Sequence, residues 1–136
     1  LPAAWICGVR LTHLDDHGAT ASIKHRWVNQ NPYSSMFWAV QGMAAEFPTG
    51  ILLTKEIKAS GRNISMLVLN NKATFTKKAT GRINFYCDQG EEAKNAIEML
   101  IKTGEPQTVW LHATGMNQEE QMVSKFSFVW TLLLKK

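Results

Sequence analysis

Cysteine is nearly absent: Cys7 and Cys87 are the two in 136 residues, far apart and outside any CxxC or Cys/His pattern. A disulfide framework is therefore not expected, and a reduced, cytoplasmic compartment is the simpler setting. No apolar stretch approaches the roughly 18 residues of a spanning helix. The opening Leu-Pro-Ala-Ala-Trp lacks the basic-then-apolar order of a signal segment, so no membrane attachment is expected. His13, His17, His25 and His112 show no HxxxH spacing and no adjacent Cys or carboxylate set, which argues against a metal. Gly-rich phosphate loops, a nucleophile elbow and a Ser/His/Asp arrangement are also missing, and no resident cofactor is expected.

Charge is sparse as well, at 19% of residues with a formal net charge of +4. The basic residues are scattered through Lys24, Arg26, Lys55, Lys58, Lys77, Lys78, Arg82, Lys135 and Lys136. Nucleic-acid binding normally needs a clustered basic stripe, so no nucleic-acid partner is expected; the balance suits a small anionic ligand at a local patch. The 45% hydrophobic content is ordinary. The length supports a single domain over residues 1–136 with a real core.

Met36 to Ala45 (Met-Phe-Trp-Ala-Val-Gln-Gly-Met-Ala-Ala) holds a single polar side chain, Gln41, and runs directly into Glu46. A segment apolar on every face reads as a helix buried all round. Pro48 cannot continue a regular helix and restricts Phe47, so the helix is expected to end or kink near Glu46. Burial and the negative end of the helix dipole would then both raise the Glu46 pKa, toward the range of a general base. Gln41 must find hydrogen-bond partners, most simply structural ones, with a substrate or a dimer partner as the alternative. Five residues from Glu46, it falls on a different helix face.

Around this helix the patterning is β-rich. Gly8 to Asp15 and Ala19 to Trp27 read as a hairpin about Asp15-Asp16-His17-Gly18. Asn29 to Ser35 is a loop in which Ser34 or Ser35 is placed to cap the helix. Ile64 to Cys87 reads as two strands divided near Gly81, and Asp88-Gln89-Gly90-Glu91 opens an amphipathic helix that stops at Gly104. Thr108 to Ala113 and Met122 to Leu134 close the chain as strands, with Ser124, Phe126, Phe128, Trp130 and Leu132 on one side of the last. The order ββα–ββα–ββ gives an α+β fold: about six mostly antiparallel strands curved around the apolar helix, plus a second amphipathic helix.

These residues carry a resemblance. Asn29 to Gly50, with Phe75-Thr76-Lys77-Lys78-Ala79 in the following strand, resembles the hotdog-fold thioesterase superfamily. The likeness is to its PaaI-like branch, and to a bacterial subgroup of thioesterase-like proteins within it. The resemblance implies a hotdog fold and an acyl-thioester hydrolase acting on coenzyme A or similar thioesters. Asn31, Glu46 and Gly50 fall at the separations of that branch's loop Asn, acidic residue and Gly. Glu46 is thus implied as base or nucleophile and Asn31 as orienter of water or substrate. Backbone N–H groups of Phe37, Trp38 and Ala39 are implied as oxyanion donors, although the branch's His-Gly-Gly is here Phe37-Trp38-Ala39. Gly50, Gln41, Lys77 and Lys78 are the remaining substrate-side candidates. Adjacent lysines on a strand point to opposite sides, so at most one would meet coenzyme A phosphates. A homodimer, or a tetramer built of dimers, is implied, and a non-catalytic module binding an acyl or aromatic ligand is the alternative.

Overall fold

The structure is a computed structural model describing residues 2–135; Lys136, counted above among the scattered basic residues, lies outside them. The elements in order are α1 (Pro2–Cys7), β1 (Arg10–Leu14), β2 (Ala19–Lys24), a 3-10 turn (Trp27–Asn29), α2 (Trp38–Ser60), β3 (Ile64–Phe75), β4 (Arg82–Cys87), α3 (Gly90–Thr103), β5 (Gln107–Met116) and β6 (Met122–Leu134). This is the expected order with a short helix added at the start.

All six strands form one sheet in the order β1-β2-β4-β5-β6-β3, every neighbouring pair antiparallel. The sheet curves around α2, which packs against β1, β2, β4, β5 and β6. Strand alternation decides which side chains meet the helix. Ala21, Ile23, Ile83, Phe85, Leu111, Ala113, Phe126 and Leu132 are all at most 2% exposed and form the core beneath it. The fold is thus the α+β hotdog arrangement, a curved antiparallel sheet about a central helix.

The structure corrects three local expectations. Pro48 does not end the helix: α2 continues through it to Ser60 and stops at Gly61, which adopts φ 69° and donates its N–H to the Lys58 carbonyl. An interior proline removes one hydrogen bond and costs about 3 kcal/mol. Beyond it, however, Leu52 and Leu53 are fully buried, and Ile51 and Ile57 pack on the core. Each such burial is worth about 1.5–3 kcal/mol, so packing outweighs the local break. Neither Ser34 nor Ser35 caps the helix, whose N-cap is Phe37 without a side-chain bond. Asn31 draws Ser35 into the loop instead, and Ser34 sits at φ 62°.

The third correction concerns burial. Val40, Gln41, Ala44, Ala45, Pro48, Thr49, Leu52 and Leu53 are buried, whereas Met43, Phe47, Gly50 and Ile51 are only partly covered. Trp38 is 60% exposed. One flank of α2 is therefore open in the single chain, on the side facing β3, the edge strand beyond β6.

Candidate active site

Glu46 stands on that open flank in the third turn of α2, not at the helix end, so the C-terminal dipole does not act on it. Met43, Glu46, Phe47, Gly50, Ile51 and Thr54 share one helical stripe. With Met66 of β3 and Trp130 of β6 they line a concavity of about 260 Å³. A Cβ at Gly50 would come 3.3 Å from the Trp130 ring, so the glycine leaves the space the indole fills. Glu46 is open to solvent on one side and crowded by apolar atoms on the other. Desolvation raises its pKa, the single cause of the shift, and among the described residues its carboxylate takes no hydrogen bond and no ion pair. Such a carboxylate can accept a proton and is held by no protein donor among the described residues.

The remaining sequence-predicted residues gather elsewhere. Asn31, Trp38, Gln41, Lys77 and Lys78 line a separate concavity of about 390 Å³ at the start of α2. Glu46 and Gly50 are not among its walls. Asn31 is largely occupied: its Oδ1 accepts from the Tyr33 and Ser35 N–H groups at 2.8 and 3.2 Å, and its Nδ2 donates to Ser35 Oγ at 3.0 Å. It shapes the loop that delivers the chain to the helix. Gln41 is also engaged, donating to the Met36 carbonyl at 3.2 Å and accepting from Ser124 Oγ at 2.9 Å. A buried amide so satisfied is a structural tie between α2 and β6.

The first turn of α2 separates the oxyanion candidates. The Phe37 N–H donates to the Asn29 carbonyl at 2.9 Å and is already used. Among the described residues the Trp38 and Ala39 N–H groups donate to no protein acceptor, as the first donors of a helix characteristically do not. Lys77 and Lys78 follow the end of β3 at Phe75, and off the strand both line the same concavity, contrary to the strand-alternation expectation. Lys78 Nζ also donates to the Tyr33 carbonyl at 3.4 Å.

Sequence reading missed Met43, Phe47, Ile51, Thr54 and Met66 as pocket walls; Trp130, which as an aromatic could line an acyl pocket or pack in the core, does both. The stripe of residues 43, 47, 50, 51 and 54 was visible at helical spacing, but Pro48 obscured it.

The family model described as domain of unknown function (DUF4442) matches residues 2–132. The chain belongs to that family. Among curated proteins no sequence relative matches. Solved structures do. A protein of unknown function from Chlorobaculum tepidum TLS has a TM-score of 0.85 at 17% identity, over 99% of this chain and 88% of that one. A Pseudomonas aeruginosa protein described as a probable thioesterase gives 0.84 at 17% identity, over 99% and 89%. A variant of a thioesterase enzyme from Staphylococcus aureus gives 0.76 at 12% identity, over 98% and 99%. At these identities the likeness establishes the fold of this DUF4442 chain. No helix among its described residues is long and apolar enough to cross a membrane.

Proposed function

We propose that the chain hydrolyses acyl thioesters, with coenzyme A or a similar thiol as the leaving group and Glu46 as general base or nucleophile. The observation that carries this is the unpartnered, partly desolvated Glu46 carboxylate at an apolar concavity suited to an acyl chain. As a base, Glu46 takes a proton from water while the water oxygen attacks the thioester carbonyl. The negative charge that develops on the carbonyl oxygen falls on the Trp38 and Ala39 N–H groups. Collapse expels the thiolate, which recovers the proton from Glu46 and leaves as the thiol. Asn31 acts by fixing the loop before those donors, and Lys77 and Lys78 meet phosphate on the thiol carrier. The thioesterase names carried by structural neighbours support the same reading.

Within one chain Glu46 and Trp38, at the helix start, line separate concavities. The proposed site is therefore shared by two copies, Glu46 of one protomer facing the α2 start of the other. A homodimer, itself able to pair into a tetramer, would use the open edge at β3, where Leu67 and Leu69 are 64% and 62% exposed. A cytoplasmic setting fits the two free cysteines.

One observation favours a second reading, a module that holds an acyl or aromatic ligand without turnover. Trp38 lies exposed at the donor end of the helix, its ring 5.9 Å from that of Phe37, and is far bulkier than the glycine that lets a ligand reach backbone N–H groups closely. Thiol release from a panel of short, long and aromatic acyl-coenzyme A substrates separates the two. Turnover by wild type that is lost in Glu46→Gln supports hydrolysis; ligand uptake with no turnover of any substrate supports the binding module.

A further inference from the structure

The basic residues that are scattered in sequence include a group that the sheet brings together. Lys24 pairs with Arg82 across β2 and β4, Arg10 pairs with Ser22 across β1 and β2, and Arg26 follows β2. Strand alternation puts Ser22, Lys24 and Arg82 on the face opposite the buried Ala21, Ile23 and Ile83, and so on the outside of the sheet. With Gly8 the four cations line a concavity of about 210 Å³ that contains no carboxylate. Among the described residues none of the four forms an ion pair.

The guanidinium groups are held in place through part of their donor set. Arg10 Nη1 donates to the Trp5 and Val9 carbonyls at 3.1 and 2.9 Å, and its Cζ lies 3.4 Å from the Trp5 ring centroid. Arg26 Nη2 donates to the Ile6 carbonyl at 3.4 Å, and Arg82 Nη1 to Ser22 Oγ at 2.8 Å. Gly8, at φ 93°, gives Arg26 its room: a Cβ there would lie 2.5 Å from Nη2. Among the described residues the remaining nitrogens of each arginine donate to no protein acceptor. The short helix α1 thus positions two of the arginines.

Holding like charges together in one hollow is unfavourable without a counter-anion. Preorganised guanidinium forks match phosphate oxygens, and one carboxylate would leave most of the charge uncompensated. We propose that this concavity binds a small soluble anion bearing two or more phosphate groups, gripped by Arg10, Arg26 and Arg82 with Lys24 as a point charge. It shares no lining residue with the Glu46 concavity or the helix-start concavity, so it stands whether or not the chain turns over thioesters.

The test is calorimetric titration of the full chain with inorganic tripolyphosphate at about 0.1 M salt, where long-range surface attraction is screened. Among the described residues the Lys24 ammonium makes no hydrogen bond to protein, so Lys24→Glu changes the charge without breaking a side-chain bond, and its melting temperature should match wild type. Binding by wild type, weakened about tenfold or more in Lys24→Glu and in Arg82→Gln, and unchanged in Lys77→Gln/Lys78→Gln, is the expected result. No heat of binding in wild type overturns the proposal. So does equal loss in the Lys77→Gln/Lys78→Gln variant, which would move the anion to the helix start. Sedimentation with anionic phosphoinositide vesicles, in a chain that ignores tripolyphosphate, would replace the soluble anion with a lipid surface.

Discussion

Trp130 of β6 donates its indole N–H to Thr49 Oγ1 at 3.0 Å, and Thr49 donates its own proton to the Glu46 carbonyl at 2.7 Å. The floor of the apolar concavity is thus tied directly to the backbone of the residue whose carboxylate stands over it. Thr49 is fully buried and sits beside Pro48, where the helix ladder lacks one N–H.

Thr49→Val keeps the shape and leaves the Trp130 N–H buried without an acceptor. The expected loss is about 1–3 kcal/mol by chemical denaturation. Adding Trp130→Phe removes the orphaned donor, so the double variant should be less destabilised than the two single losses summed. Strict additivity would show that the pair does not interact.

Glu46→Gln should lower thioester hydrolysis by about 10²–10⁴-fold, the range a positioned base supplies, without loss of fold. Because desolvation raises the Glu46 pKa above its ordinary 4.5, the rate should climb with pH through an apparent pKa above that value. A pH-rate limb at or below it would count against Glu46 as the titrating group.

The same shift has a sign in stability. A raised carboxylate holds its proton more tightly in the folded chain than in the unfolded one. The folded state is therefore favoured below the unfolded pKa, and that contribution fades as pH rises from 4.5 through the folded value. Glu46→Gln removes the dependence. Its melting temperature should exceed wild type at neutral pH by no more than about 2 °C, since one side of Glu46 is solvated, and the difference should vanish near pH 4.

Asn31→Ala removes three hydrogen bonds from the loop before α2. A stability loss of about 1–3 kcal/mol is expected, with a fall in kcat through displaced helix-start donors. If Asn31 instead contacts substrate directly, KM changes while the melting temperature stays at wild type.

Leu67→Glu with Leu69→Glu places two carboxylates on the exposed edge at β3. Light scattering should find the variant monomeric where wild type is dimeric at micromolar concentration, with thioester hydrolysis lost in parallel. A monomeric wild type that remains fully active would remove the shared site.

Much of this was legible in the chain. Alternation from Ala19 predicts β2, which stops at Lys24 rather than reaching Trp27; the patterns at Arg82 to Cys87 and Met122 to Leu134 match β4 and β6, and Gly104 marks the end of α3. What escaped depended on tertiary contact. Pro48 is a strong local stop, and only the burial of Leu52 and Leu53 under the sheet carries α2 past it. Asp88 has the chemistry of a cap, yet Gln89 holds the position and sends its side chain to the Trp110 carbonyl and the His112 N–H. Arg10, Lys24, Arg26 and Arg82 are dispersed along the chain, and their meeting required the pairing order β1-β2-β4. Glu46 was identified correctly as perturbed, for one of the two reasons given: desolvation acts, whereas the helix end lies several turns away.

The longest uncovered edge in the sheet carries a further consequence. β3 runs for 12 residues with Lys72 as its single charge, and its outer backbone groups have no partner strand among the described residues. Charge, proline and brevity are the usual guards against open-ended strand addition, and this edge has little of any. In the proposed dimer, solubility and self-association are therefore coupled: substitutions that separate the copies without adding charge along β3 would leave a template for fibrillar growth rather than a well-behaved monomer.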